Sequence, residues 1–386
     1  MGVYVCKSTD TGAPTLNGTA GALITVLDAL LVNGYNSKTI TITRSGATAT
    51  ANCTSHGFNA MQTVLISGAD QAEYNGEFKI LAITDANNFT FTVSGSPATP
   101  ATGTITCVVA PLGWTKTYSG TNKAAYRQKS GTNQFYLRVD DSNAQNSQFR
   151  GYEAMTDVDT GTGPFPTTAQ FALGSGLYFY KSITADATAR TWKFWSNGKI
   201  FYFQGVHGTS APRSNFIGFG DFHSYLAGDV YNTIVLGEVT ASNVSASSFT
   251  TLSSSMANTR TGAYIPRNYA NTAGAILVHI GSTDYNSGGA TQISVGNMTY
   301  PNPISGGAVL HRIRIGETAV ASARGLLPGL WTLAHSKPFN DGDTFSGAAG
   351  TDMAGMSFEY SNAYNSTSGG APVFETTSLS WDSIDG

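Results

Sequence analysis

The sequence predicts a mainly β protein: β-sandwich or barrel-like domains, one N-terminal helix at about 19–33, and a small inserted β domain. Three observations point there. Apolar residues alternate with Thr and Ser at period two over much of the chain, the pattern of half-buried strands. Charged residues are only 12%, about half the usual share, while Gly numbers 44 of 386 residues. Turns and strands suit that mixture, and long solvated helices do not. A single stretch, "TAGALITVLDALLVNG", has apolar residues at helical spacing.

In that stretch Leu23, Leu27, Leu30 and Leu31 share one face, widened by Ile24 and Val26. Thr19 is placed to cap the start, and Gly34 to supply a left-handed stop. The helix is expected to lie buried against a sheet.

From Lys38 to Val109 the period is two. Ile40 and Ile42 alternate with Thr39, Thr41 and Thr43; Phe89, Phe91 and Val93 alternate with Thr90 and Thr92. Turn signals such as "RSGA", "SHGF" and "TDANN" separate about six strands, a spacing typical of a small sandwich or barrel. Residues 40–110 therefore read as a domain inserted into a loop, with chain ends close together. Its expected core is Ile40, Ile42, Leu65, Phe89, Phe91, Ile105 and Val109. The main domain is then 1–39 plus 111–241, and 257–386 forms a C-terminal β region, separate or continuous with it. The Ser/Thr-rich stretch 242–256 reads as a linker or a long loop.

The main domain resumes with "WTKTY", "AAYRQ" and "FYLRVDDS" as successive strands. "TWKFWSNGKIFYFQG" is a hairpin, since Asn197-Gly198 is the favoured pair for a type I′ turn. That turn pairs Trp195 with Ile200, Phe194 with Phe201 and Trp192 with Phe203. Trp192, Phe194, Phe201 and Phe203 occupy one face; Trp195, Ile200 and Tyr202 occupy the other. A ribbon apolar on both faces needs two covers. One is the core. The other is another element or a second subunit, so Trp195, Ile200 and Tyr202 are the candidate subunit interface of a homo-oligomer. Further strands follow, including "NTIVLGEV", "GAILVHIG", "TQISVGN" and "AVLHRIRIGET". "RGLLPGLWTLAHSKPFNDGDTF", with two prolines, reads as an ordered loop.

Formal net charge is −3 with no Lys/Arg run, so nucleic acid is not an expected partner. No apolar run approaches the roughly 20 residues that span a bilayer. The opening "MGVYVCKSTD" lacks signal-peptide character, which predicts synthesis in a cytoplasm. Cys6, Cys53 and Cys107 are an odd count and read as small buried hydrophobes, with a Cys53–Cys107 bridge as the alternative.

The phrases "TGAPTLNGTAGALITVLDALLVNGY", "GWTKTYSGTNKAAYRQ…FYLRVDDS", "RGYEAMTDVDTGTGPFP" and "RGLLPGLW…HSKPF" resemble a family of tailed-bacteriophage structural proteins. "TSHGFNAMQTVLISGADQAEYNGEF…TDANNFTFTVSG" is similar to a β module inserted or appended in many phage virion and tail proteins. The resemblance covers most of the chain outside 40–110 and implies a virion component. It brings no catalytic residue set.

Chemistry-bearing patterns are few. The histidines make no zinc spacing, and no G-x-S-x-G elbow, Walker loop or Rossmann fingerprint is present. Asp140 with Asp141, and Asp157 with Asp159, are the carboxylate pairs. They read as turn residues, with calcium binding and glycoside hydrolysis as alternatives. No catalytic, cofactor or metal residue is assigned. The expectation is a non-enzymatic virion protein on the exterior of head or tail, with other virion proteins as partners. The alternative is a tail protein that binds a host receptor or surface glycan.

Overall fold

A computed structural model of the chain describes residues 2–129, 134–170, 177–208, 214–238, 261–281, 299–303, 306–317, 322–335, 339–347, 349, 353–361, 372–377 and 381. The expected strand "TQISVGN" and the connector 242–256 lie outside them. Among the described residues 52% are in strands and 6% in helices, so the mainly β expectation holds. The sheets are antiparallel, and among the described residues none closes into a barrel.

The helix is shorter and less regular than its pattern suggests. Ala22–Leu27 is α-helical, and Asp28–Asn33 continues as a wider π-helical turn that ends at Gly34. Gly34 has φ 73° and ψ 179°, a region open essentially to glycine. Any Cβ there would meet the Val109 carbonyl at 2.5 Å. Thr19 does not cap the helix. Its hydroxyl bonds to Asn17 at 2.6 Å, and Gly21 with φ 81° occupies the cap position. The cap comes from a distant residue, Asp141.

Residues 35–109 form two four-stranded sheets. One contains Tyr35–Thr39, Gly103–Val109, Thr63–Ala69 and Gly76–Lys79; the other contains Thr41–Ser45, Thr48–Asn52, Asn88–Thr92 and Ala82–Asp85. Neither sheet pairs with a strand from elsewhere in the described chain. The chain enters and leaves through paired strands, with Tyr35 opposite Val109 and Lys38 opposite Cys107. Ile40, Ile42, Phe89, Phe91, Ile105 and Val109 are buried as expected. Leu65 is only half-buried, because the inward positions of its strand are Val64 and Ile66. All three cysteines are free thiols, so Cys53 and Cys107 are not bridged.

This sandwich is not packed in isolation. The segment before the helix lies along it: Tyr4 donates to Glu77 at 2.5 Å, and the Thr63 hydroxyl donates to the Val3 carbonyl at 3.4 Å. Asp10 accepts from Tyr35, Asn59 and Gln62 at 2.8, 3.1 and 3.3 Å. The apolar cores are continuous as well, since Leu30 and Leu31 belong to the same buried cluster as Val64 and Phe91.

Every other described strand belongs to one hydrogen-bonded network. At its centre is the hairpin Trp192–Ser196 with Ile200–Val206, flanked by Tyr4–Lys7 on one side and Ser214–Asp221 on the other. The hairpin register differs from the expected one by two residues. Ser196 faces Phe201, Trp195 faces Tyr202, and Phe194 faces Phe203. The turn is not type I′, since Gly198 has φ 87° and Asn197 has no positive φ. The Asn197 side chain explains the wider loop. Its Oδ1 accepts from the amides of Lys199 and Ile200, and its Nδ2 donates to the Trp381 carbonyl. A shift of two preserves which residues share a face.

Those two faces have separate covers. Trp192, Phe194, Phe201 and Phe203 pack with Trp114, Phe179, Phe219 and the helix. Trp195, Ile200 and Tyr202 are each 0% exposed, packed on the chain's own C-terminal strands. Trp195 stacks on Phe374 with ring centroids 3.8 Å apart, and Tyr202 donates to the Pro328 carbonyl at 2.9 Å. The subunit-interface assignment of these three residues is therefore corrected. The second cover is intramolecular, built from sequence more than a hundred residues away (about 3.3 Å per strand residue gives ample reach).

The segment expected to be a loop, "RGLLPGLWTL", lies instead in the strand Ser322–Leu333. Pro328 is tolerated because the register jumps around it, from Arg314 opposite Leu326 to Arg312 opposite Trp331. Gly329, with φ 65°, sits against Trp381, where a Cβ would approach the indole to 1.8 Å.

Substituting Trp195 or Tyr202 by Ser is expected to lower the stability of the single chain by about 3–5 kcal/mol, the range for emptying a large aromatic site. Denaturant melts measure this. An unchanged melt together with lost self-association would restore the interface assignment.

Candidate functional site

Asp140 ends the strand Tyr136–Asp140 and Asp141 follows it directly, and the two carboxylates point to different places. Asp140 joins a surface network. Arg138 bonds to it at 3.2 Å and to Asp159 at 2.6 Å, and Lys123 reaches Asp159 at 2.9 Å. Arg138 also donates to the Val158 carbonyl at 2.8 Å, which pins the 157–160 turn to the sheet. Asp157 holds that turn from within, its Oδ1 accepting from the Asp159 amide at 2.7 Å.

These contacts set the ionisation of the two carboxyls in the loop. Hydrogen bonds from Arg138 and Lys123 hold the Asp159 carboxyl below its ordinary value. Bonds from the Asp159 amide and from Thr160 do the same for Asp157. A glycoside hydrolase needs one carboxyl with a raised value to act as general acid, and neither residue supplies it. Calcium would compete with two cations already seated on Asp159. Among the described residues, no group of three or more His, Cys, Asp or Glu side chains is placed to hold a metal.

Beside this network lies an open cleft of about 450 Å³. The residues before the helix line one wall, with Thr15, Asn17 and Thr19. The hairpin around Asn122 lines the other, with Lys116 and Lys123 at the rim. Both lysines are engaged, Lys116 with Asp28 at 2.9 Å and Lys123 with Asp159. The cleft can offer hydroxyl, amide and carbonyl groups to a polar ligand. Among the described residues that line it there is no aromatic ring and no carboxylate.

Asp141 turns inward. It is 0% exposed and its Oδ2 accepts from the amides of Leu23 and Ile24 at 2.8 and 3.3 Å. Its Oδ1 accepts from Ser147 Oγ at 2.5 Å and lies 2.5 Å from Lys181 Nζ. Lys181 is equally buried and donates to the Thr19 carbonyl at 2.7 Å. Burial raises the Asp141 carboxyl and lowers the Lys181 amine.

Neither Lys181 nor Arg324 falls within a recognisable catalytic or metal-binding motif of the sequence. Arg324 is fully buried between Asp229 at 2.6 Å and Glu317 at 3.1 Å. The available signal for Lys181 was its position directly after "LYFY", four residues that are all buried. Of the histidines, His56 is a turn residue as expected: its Nδ1 accepts from the Phe58 amide, and its ring packs on Phe89. His335 accepts from the Val309 amide at 2.8 Å, a structural role.

No protein-family model matches the chain, and no curated protein matches it. Among solved structures it is similar to the phage phi92 endosialidase, at 9% identity over 88% of this chain and 70% of that one, with a TM-score of 0.18. A superposition of that quality defines no common fold.

Because Asp159 has a lowered folded value, its contribution to stability is in place above the ordinary carboxylate range. It is lost as pH falls through the lowered value. Asp159→Asn should therefore lower the melting temperature slightly at about pH 7, by an amount that shrinks as pH falls through and below the ordinary carboxylate range. A loss that does not change with pH would contradict the ion-pair assignment.

Proposed function

We propose that the chain is a non-enzymatic structural protein of a tailed-bacteriophage virion, placed on the exterior of head or tail. Residues 35–109 are an accessory β module on that body. The observation that supports this best is the pair of four-stranded sheets that share no strand pairing with the rest of the described chain, entered and left through one pair of neighbouring strands. A module joined that way adds surface without altering the host sheet. The sequence resemblance to phage structural proteins supplies the class, and the carboxylates of the 157–160 turn, held ionised by local hydrogen bonds and by Arg138 and Lys123, favour a role without catalysis.

A receptor- or glycan-binding role is the second reading. Tyr225 and Tyr269 are exposed at 41% and 45%, and both adjoin Arg324. The Tyr225 amide donates to the Arg324 carbonyl, and the Arg324 guanidinium lies 5.6 Å from the Tyr269 ring. Exposed aromatic faces suit stacking on sugars.

Quantitative mass spectrometry of purified particles tests the proposal. The protein is expected at a fixed copy number per particle, and its absence from particles overturns the reading. A chain in which Ser37 is joined to Gly113 by a short Gly-Ser turn is expected to fold with a lower melting temperature, because the Tyr4 and Asp10 contacts are lost, and still to enter particles. If those particles no longer adsorb to host cells, the module is a receptor-binding element.

A further inference from the structure

The Asp141–Lys181 contact has the components of a covalent cross-link. Both side chains are 0% exposed and Nζ lies 2.5 Å from Oδ1. That puts the amine within about 3.5 Å of the carboxyl carbon, at the edge of near-attack range. Two backbone N–H groups, of Leu23 and Ile24, converge on the other oxygen. They are placed as the donors of an oxyanion hole are, aimed at an oxygen that would gain charge. Burial disfavours the ionised form of both groups, so transfer of one proton from ammonium to carboxylate relieves both.

We propose that Lys181 and Asp141 condense into an intramolecular isopeptide bond. The Lys181 ammonium passes a proton to Asp141 Oδ1, leaving a neutral amine beside a carboxylic acid. The Nζ lone pair attacks Cγ, and the carbonyl electrons move to Oδ2 under the Leu23 and Ile24 amides. The C–Oδ1 bond then breaks. Oδ1 leaves as water, taking a second proton from Nζ, with the Ser147 hydroxyl beside it to relay the transfer. One amide and one water are formed from one ammonium and one carboxylate, so no oxidant, reductant or further reactant enters. Thr19, whose carbonyl accepts from Nζ, lines the open cleft, which gives the water a short way out. The bond would fasten the end of the strand Tyr136–Asp140 to the end of Leu177–Tyr180, directly beneath the start of the helix. This inference does not depend on the virion reading.

Intact-mass spectrometry of the full chain, before and after prolonged incubation at neutral pH, provides the test. The expected mass is one water below that of the sequence. A protease digest should then yield a branched peptide joining Asp141 to Lys181, and Lys181→Met should have the full mass. A wild-type chain that keeps the full mass throughout overturns the proposal. So does a water loss that maps to a linear peptide, the sign of a cyclic imide, or one that persists in Lys181→Met.

Discussion

A fully buried carboxylate is tolerated only when its oxygens are occupied, and at Asp141 they are. The helix amides take one oxygen, and Ser147 with Lys181 takes the other. Its backbone is engaged too: the Gly21 amide donates to its carbonyl at 3.0 Å, and its own amide donates to Asn122 at 2.8 Å. A single residue thereby fixes the start of the helix, the hairpin turn at Asn122 and the approach of Lys181. Loss of either charged partner would leave the other uncompensated in the interior, which typically costs about 3–5 kcal/mol. The helix is short and has no side-chain cap of its own, so its position depends on this contact.

The helix in turn determines how the sandwich is carried. Its final turn hydrogen-bonds to the returning chain, Leu30 to the Leu112 amide and Leu31 to the Trp114 amide. Gly34 then lets the backbone turn tightly against Val109. The two ends of the 35–109 segment are thus held by the same element that Asp141 anchors. The N-terminal segment adds a second hold through Tyr4 and Asp10. Burial raises the Asp10 carboxyl, and the donors from Lys7 and Tyr35 oppose that rise.

The central hairpin solves a different problem. Both its faces are apolar, and each is sealed by a different part of the chain. The side sealed by Phe374 and Trp381 also buries polar groups. Ser361 pairs with Gln204, and Glu359 lies 3.1 Å from Lys7 and 3.3 Å from Lys193. The C-terminal strands therefore complete the body, which a subunit contact could otherwise have done.

The alternating Thr and apolar residues after Lys38 by themselves determined the β class and most of the sandwich core, because side-chain direction in a strand is local. The apolar stripe from Leu23 to Leu31 likewise determined one buried helix. The parity of the 192–203 hairpin was legible for the same reason, although its register was not, since Asn197 uses its side chain to widen the turn. Local sequence carries no record of which distant segment covers a face. Only the tertiary structure decided that Trp195 and Tyr202 meet Phe374, that Pro328 sits in a strand, and that Asp141 leaves Asp140 to meet Lys181 in the interior. The first and last of these are pairings between residues far apart in the chain, where packing and the satisfaction of buried charge outweigh local preference.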